Sequence, residues 1–303
     1  MKQSSGQLVW LLAALLAGPA LNTSHAQNAL PDHPVVTVHG QTWNPRAILA
    51  RNRGTPEDED TQLPPHKIID NLYYVGTRTL STYLIVTPAG NIMIDSGYEH
   101  SVRPVVQKSV EQLGFKFADT KILLNNHEHG DHVEGDFLVK ELTGAQVIEI
   151  AEGESGLRGV KPGGKEHPVD KIIHDGDSVT LGGTTLVAHL TAGHAHGGTT
   201  WTMKATEGGK TYDVVIASSI RVAGKMTPEI MAEYHRTFAL LRSLPCDVPL
   251  GDHAETFRVQ EKMAKIRPGG PNPFIDPAGC NVETDVEDSM FHALLQEQGH
   301  AAP

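Results

Sequence analysis

From Lys67 onward, short apolar runs alternate with turn-forming residues. Ile68-Ile69, Leu72-Tyr73-Tyr74-Val75, Tyr83-Leu84-Ile85-Val86 and Ile92-Met93-Ile94-Asp95, the last two separated by Pro88-Ala89-Gly90-Asn91, predict a β meander. After Ser96-Gly97 the period changes. Val102, Val105, Val106, Val110 and Leu113 recur every three or four positions, which predicts a helix ending at Gly114. A strand at Lys121–Leu124, a helix over about Asp136–Leu142 and a strand at Gln146–Ile150 complete a βαβαβ run.

The second half repeats the arrangement loosely. It shows strands near Ser178–Leu181, Thr184–Leu190, Thr199–Met203, Asp213–Ala217 and Val248–Leu250. Thr227-Pro228 opens a helix, with Thr as N-cap, Pro in the first turn, and Ile230, Tyr234, Phe238 and Leu241 on one stripe. Further helices are predicted near Glu255–Ala264 and Glu287–Gln296. Strands followed by helices in both halves imply an α/β protein in which two β-sheets pack face to face with helices outside. Residues 27–65, rich in Pro and polar residues, read as an N-terminal arm over the body with no visible chemistry. No Gly/Ser-rich linker divides residues 27–303, which read as one domain.

The first 26 residues stand apart. Lys2, the apolar run Leu8–Ala17 and the ending Ser24-His25-Ala26 read as a secretory signal peptide, so the mature protein is expected to be periplasmic or secreted. No stretch reaches the roughly 20 apolar residues of a bilayer span, and no membrane association is expected once the signal is removed. With 25 Lys and Arg against 36 Asp and Glu, the formal charge is −11, which argues against nucleic acid as a partner. In an oxidising compartment the two cysteines, Cys246 and Cys280, can form a disulfide. The alternative use, metal ligation, is disfavoured because neither lies in a CxxC pair.

Histidine is abundant, at 17 of 303 residues, and neutral imidazole is a common metal ligand. The segment Asn125-Asn126-His127-Glu128-His129-Gly130-Asp131-His132 follows a buried strand and packs four candidate ligands into six positions. Two more His, His194 and His253, each follow a predicted strand. Divided as His127, His129 and His194 for one ion and Asp131, His132 and His253 for another, each zinc has three protein ligands and an open position, as catalytic zinc does. Histidines and one Asp, without a bridging carboxylate, favour zinc over iron. Zinc lowers the pKa of bound water to about 7, so no Ser or Cys nucleophile is required.

With these residues in view, the sequence resembles the metallo-β-lactamase superfamily, whose HxHxDH motif stands here as His127 to His132. The resemblance extends to the B3 subclass through Ile69–Gly76, Ile94-Asp95-Ser96-Gly97, Gly193-His194, Gly197–Trp201, Pro245-Cys246-Asp247 and Asn272–Pro277. It implies an αβ/βα four-layer sandwich with a dinuclear zinc site at one edge, and a disulfide between Cys246 and Cys280. It also implies opening of the lactam ring of β-lactam antibiotics, with Asp131 orienting the attacking hydroxide. At Ile216-Ala217-Ser218-Ser219 glyoxalase-like members carry a metal-bridging Asp, and this chain has none.

Ser219, or else Ser218, is expected to bind the substrate carboxylate, with Arg221 as a further candidate. Asp95 is a candidate acceptor for the free N–H of a ligand His. His196 is read as a rim residue, and Glu128 as pointing away from the metals. Small-molecule β-lactams are the expected partners of a monomeric enzyme. The alternatives are another dinuclear-zinc hydrolase, such as a lactonase or phosphodiesterase, or a non-catalytic periplasmic zinc-binding protein.

Overall fold

The computed structural model describes residues 31–300, so the signal-peptide reading of residues 1–26 lies outside the described residues. The segment read as an arm is ordered by local chemistry. β1 (Val36–Val38) and β2 (Gln41–Trp43) form a hairpin whose turn residues, His39 and Gly40, both have positive φ, as a tight two-residue turn requires. A helix follows at Pro45–Arg53. Asn44 caps it by accepting from Ala47 N at 2.7 Å, and Pro45 stands at the first position, where its missing N–H costs nothing. A short helix, Pro56–Asp60, carries a reciprocal cap between Thr55 and Asp58.

The meander and the βαβαβ run form one seven-stranded sheet. In spatial order it holds β3 (His66–Ile69), β4 (Leu72–Tyr74), β5 (Tyr83–Thr87), β6 (Gly90–Ile94), β7 (Thr120–Leu124), β8 (Gln146–Ile150) and β9 (Lys171–Ile173). Pairing is antiparallel through β6 and parallel from β6 to β9, because helices or longer connections return the chain between the later strands. β9 escaped the hydrophobic pattern, being only three residues with one of them buried.

The second sheet has five strands: β10 (Ser178–Leu181), β11 (Thr184–Leu190), β12 (Thr199–Glu207), β13 (Lys210–Ala217) and β14 (Val248–Gly251). Its last pair, β13 and β14, is parallel, with the helix Pro228–Ser243 between them. Thr227 caps that helix by accepting from Ile230 N.

The sheets meet through alternate side chains. Ile85, Ile94, Leu124 and Ile148 of the first face Leu186, Trp201, Met203 and Ile216 of the second in one apolar layer. The residues between them in sequence turn outward. Leu84, Met93, Leu123 and Val147 pack against Val102, Val106, Val110 and Val139 of the covering helices. Elsewhere Tyr234, Phe238 and Leu241 pack with Met290, Phe291 and Leu295 of the C-terminal helix, and with Trp43 and Ile48. Each fully buried large apolar side chain contributes about 1.5–3 kcal/mol. The result is the expected sandwich of two mixed sheets with helices outside.

Two helices depart from expectation. The one after Ser96-Gly97 widens to π-type turns over Val102–Gln107, around Pro104, which cannot donate to the usual carbonyl. The region Glu255–Ala264 is divided. A 3₁₀ turn, Ala254–Phe257, is separated from the helix Val259–Ala264 by Arg258, whose φ of +57° breaks the helical run.

Candidate metal centre

The chemistry-bearing loops all leave C-terminal strand ends along one edge of the sandwich. Asp95 follows β6, the motif Asn125–His132 follows β7, His194 lies in the loop after β11, Ser218–Arg221 follow β13, and Asp252-His253 follow β14. Asn126 joins the two sheets at this edge. Its side-chain amide donates to Thr199 O at 3.0 Å and to Ile216 O at 3.4 Å. Trp201 Nε1 donates to Asn125 O at 3.0 Å, so the indole fixes the strand end from which the motif departs.

The fold brings His127, His129 and His194 together in one group and Asp131, His132 and His253 in a second; within each, one ligand atom per residue lies within 4.8 Å of the others. His127 Nε2 faces His129 Nδ1 at 3.1 Å, while Asp131 Oδ2 lies 3.6 Å from His132 Nε2 and 3.9 Å from His253 Nε2. Ligands at 2.0–2.1 Å from a tetrahedral zinc stand about 3.3 Å apart, so these spacings suit such an ion.

Outer partners fix which nitrogen of each ring is left facing inward. His132 Nδ1 donates to Asp95 Oδ2 at 3.0 Å, His194 Nδ1 to Arg221 O at 3.1 Å, and His253 Nδ1 to Asn52 O at 3.1 Å. His127 Nδ1 lies 3.2 Å from Asp252 Oδ2. His132 Nε2 is then a buried nitrogen with no hydrogen-bond partner, aimed into the cluster. Asp95 itself is held by Asn126 N, which donates to Oδ1 at 2.7 Å.

Burial, with the repulsion of neighbouring imidazoles, pushes His127 down to about 3 and His194 well below its ordinary value, so both are neutral donors of a lone pair. Burial opposes ionisation of Asp131, yet the surrounding imidazoles hold its carboxyl well below the usual range. Burial likewise disfavours charge on His132, but Asp131, Asp95 and Asp252 together push it up to about 10. The pocket therefore calls for positive charge beside that nitrogen, and a divalent cation would supply it. The donor set, its spacing and its charge fit a metal site.

Asp252 is a candidate site residue that does not stand out in the sequence. It is 1% exposed, and besides facing His127 it accepts from Ser219 N at 2.5 Å and Ser219 Oγ at 3.0 Å. The signal was its position, an Asp directly before a candidate ligand His. The loop carrying His194 has its own clamp. Glu128 turns away from the cluster and accepts from His196 N at 3.0 Å and Gly197 N at 3.1 Å, which ties the motif to that loop.

His196 points outward, its ring 72% exposed and Nδ1 3.4 Å from Glu233 Oε1. Ser218 is buried and its hydroxyl has no partner, whereas the Ser219 hydroxyl is engaged by Asp252. Arg221 is partly exposed, and its cation helps hold His194 and His129 down, which puts it electrostatically beside the cluster. His129 is exposed and Asp131 partly so, and the cluster opens to solvent on that side. Behind the motif, Asp136 is fully buried and accepts from Ser96 Oγ at 2.6 Å and Asn125 Nδ2 at 2.8 Å. Cys246 and Cys280 are joined in a disulfide that ties the stretch before β14 to the start of the C-terminal helix, Val282–Glu297.

Comparison with known proteins agrees with this geometry. The family model of the metallo-beta-lactamase superfamily matches residues 75–207. Among solved structures, the native FEZ-1 metallo-beta-lactamase of Legionella gormanii is 42% identical, with a TM-score of 0.75 over 80% of this chain and 99% of that one. BJP-1, a subclass B3 metallo-beta-lactamase of Bradyrhizobium japonicum, is 34% identical, with a TM-score of 0.73 over 80% of this chain and 97% of its own. MEM-A1, a subclass B3 enzyme from a soil metagenome library, is 31% identical, with a TM-score of 0.73 over 80% of this chain and 99% of its own. A curated hydroxyacylglutathione hydrolase of Hyphomonas neptunium is 31% identical over 109 residues, 36% of this chain, and the chain spans only 39% of that protein's length. The chain belongs to the metallo-β-lactamase superfamily, is similar to its subclass B3 members, and is an enzyme of that class.

Proposed function

We propose that the protein is a zinc-dependent β-lactam hydrolase of the B3 kind, holding two Zn²⁺ ions and opening the lactam ring of antibiotics. The observation that carries this reading is the pair of three-ligand groups, His127/His129/His194 and Asp131/His132/His253, converging at an open edge of the sandwich. A third grouping, His127/His132/Asp252, also brings ligand atoms within 4.8 Å. Asp252 faces Nδ1 of His127, the ring nitrogen opposite the Nε2 that faces His129, so we read it as the outer partner of His127 rather than a ligand. When bound, zinc supplies a water acidic near neutral pH and an electrophile for the carbonyl.

The chain's own residues do the rest. Asp131, partly exposed at the mouth and ionised, can accept a hydrogen bond from the attacking water and orient it. Asp95, Asp252 and the Arg221 and Asn52 carbonyls hold the imidazoles rigid, so little reorganisation accompanies reaction. Arg221 is the candidate for the substrate carboxylate that has a full charge to offer. Ser219 can join it only by accepting from substrate or by leaving Asp252, and Ser218 is the more deeply buried of the two.

The Cys246–Cys280 disulfide supports an oxidising destination, periplasmic or extracellular, where β-lactams are met. The test is hydrolysis of a chromogenic cephalosporin and a carbapenem by purified protein with added zinc and after chelation. Rapid turnover abolished by chelator and restored by zinc is expected. The curated relative motivates a second reading, thioester or lactone hydrolysis. Preference for those substrates by orders of magnitude in kcat/KM would replace the first.

A further inference from the structure

Three consecutive residues ending the helix Pro45–Arg53 reach three separate parts of the molecule. Arg51 pairs in bidentate fashion with Glu283 on the C-terminal helix, at 2.6 and 2.7 Å, and its Nε donates to Asn52 Oδ1 at 2.8 Å. Asn52 is 3% exposed, and its carbonyl is the acceptor for His253 Nδ1. Arg53 donates through Nε to Glu59 at 2.6 Å and through Nη2 to Tyr98 OH at 3.1 Å.

The helix also has to stop where it does. Gly54 has φ +59°, and a Cβ there would stand 2.9 Å from Thr79 Cγ2 and 3.0 Å from Asp58 Oδ2. Thr79 O in turn accepts from Ala254 N at 2.9 Å, the residue after His253. The segment first read as a featureless arm thus grips one side of the cluster.

We propose that the end of this helix is the positioning element of one metal position only, that of Asp131, His132 and His253. This rests on the two-ion reading above. The contacts explain the selectivity. His253 is oriented by Asn52 O, whereas His194 is oriented by Arg221 O and His127 faces Asp252, neither of which belongs to the helix. Because the contact to His253 is a main-chain carbonyl, it is lost by moving the helix and not by changing the Asn52 side chain.

The experiment uses the whole protein loaded in zinc buffers, with zinc per chain measured against free zinc and cobalt(II) absorption as a second readout. Arg51→Ala removes the anchor to Glu283, Gly54→Val forces the helix end to shift, and Arg53→Gln is a milder change. Each should weaken one ion by about 10–100-fold, the usual cost of losing an outer partner of a ligand, and leave the other at wild-type affinity. Arg242→Ala breaks ion pairs with Asp285 and Asp288 on the same C-terminal helix without touching this one, and should leave both ions in place. Retention of both ions at wild-type affinity in folded Arg51→Ala and Gly54→Val, even with a lowered Tm, would overturn the proposal. Equal loss of both ions would also overturn it. A wild-type protein that saturates below two ions would instead sink the two-ion reading, and the proposal with it.

Discussion

Asp252 offers a way to separate charge from hydrogen bonding at the metal centre. Its carboxylate, 1% exposed, faces His127 Nδ1 and accepts from both the N–H and the hydroxyl of Ser219. In Asp252→Asn, an amide oxygen at the Oδ2 position keeps Ser219 N satisfied and still faces His127 Nδ1, and the NH₂ can donate to a Ser219 hydroxyl that has rotated to accept. Only the charge is lost. Asp252→Ala removes the acceptor altogether, leaving the buried Ser219 N–H unpaired at about 1–3 kcal/mol and taking away the carboxylate that faces His127 Nδ1. Loss of a carboxylate partner from a ligand His typically costs 10–100-fold in metal affinity. The Asn variant should therefore melt within about 1 kcal/mol of wild type and bind the ion of His127, His129 and His194 about 10-fold more weakly. The Ala variant should lose both stability and at least that much affinity. Zinc titration in buffered free metal, with urea unfolding of the metal-free proteins, measures both. Wild-type zinc affinity in both variants would refute the assignment of Asp252 as the partner of His127. An Asn variant as unstable as Ala would refute the hydrogen-bond reasoning.

Four further outcomes are expected. His129→Ala and Asp131→Ala should lower zinc content and hydrolysis together, while His196→Ala, whose ring points to solvent, should spare both; equal loss for His196→Ala would show the ligand assignment to be wrong. Cys246→Ser should lower stability by about 4 kcal/mol, the chain-entropy value for a crosslink spanning 34 residues, without altering kcat/KM in the cold, as paired melts would show. Gly197→Ala should destabilise by about 1–3 kcal/mol, because its Cβ would stand 2.3 Å from Gly153 Cα and push the His194 loop away from the loop that follows β8; an unchanged Tm would contradict this. Glu287 is buried against Val222 N, with Arg51, Arg221 and Glu283 as its charged neighbours, and burial pushes it up to about 8. A raised carboxyl stabilises the fold fully below its ordinary value of 4.5, and that contribution is lost as pH rises through about 8, a change on the order of 4–5 kcal/mol. Glu287→Gln should remove this slope from unfolding free energies measured between pH 5 and 9.

What was legible in the sequence follows from which atoms carry the information. Continuous apolar runs such as Tyr83–Val86 and Ile92–Ile94 announce strands buried on both faces, because alternate side chains must enter opposite apolar layers, and both runs lie in the sheet as expected. The HxHxDH cluster was legible for a similar reason. Ligands must be particular side chains, and a run of them at a strand end has few other uses. β9 was not legible, since a three-residue edge strand with one buried side chain has almost no pattern to show. The break at Arg258 was hidden because a positive φ at a residue other than Gly is imposed by packing and leaves no mark in local composition.

The deepest omission has the same origin. Two of the groups that orient candidate ligands, the carbonyls of Asn52 and Arg221, are main-chain atoms, which every residue possesses. Nothing in the identity of residue 52 declares that it holds His253, whereas Asp95 and Asp252 do the equivalent work with carboxylates that a reader of the sequence can see. The position of Asn52 O depends instead on several dispersed choices: Asn44 and Pro45 to start the helix, Gly54 to end it, and Arg51 to anchor it on Glu283. Each of these is an ordinary local choice, and together they passed for a featureless arm. Their joint purpose appears only when the chain closes on itself and sets a helix end against a strand end some 200 residues later.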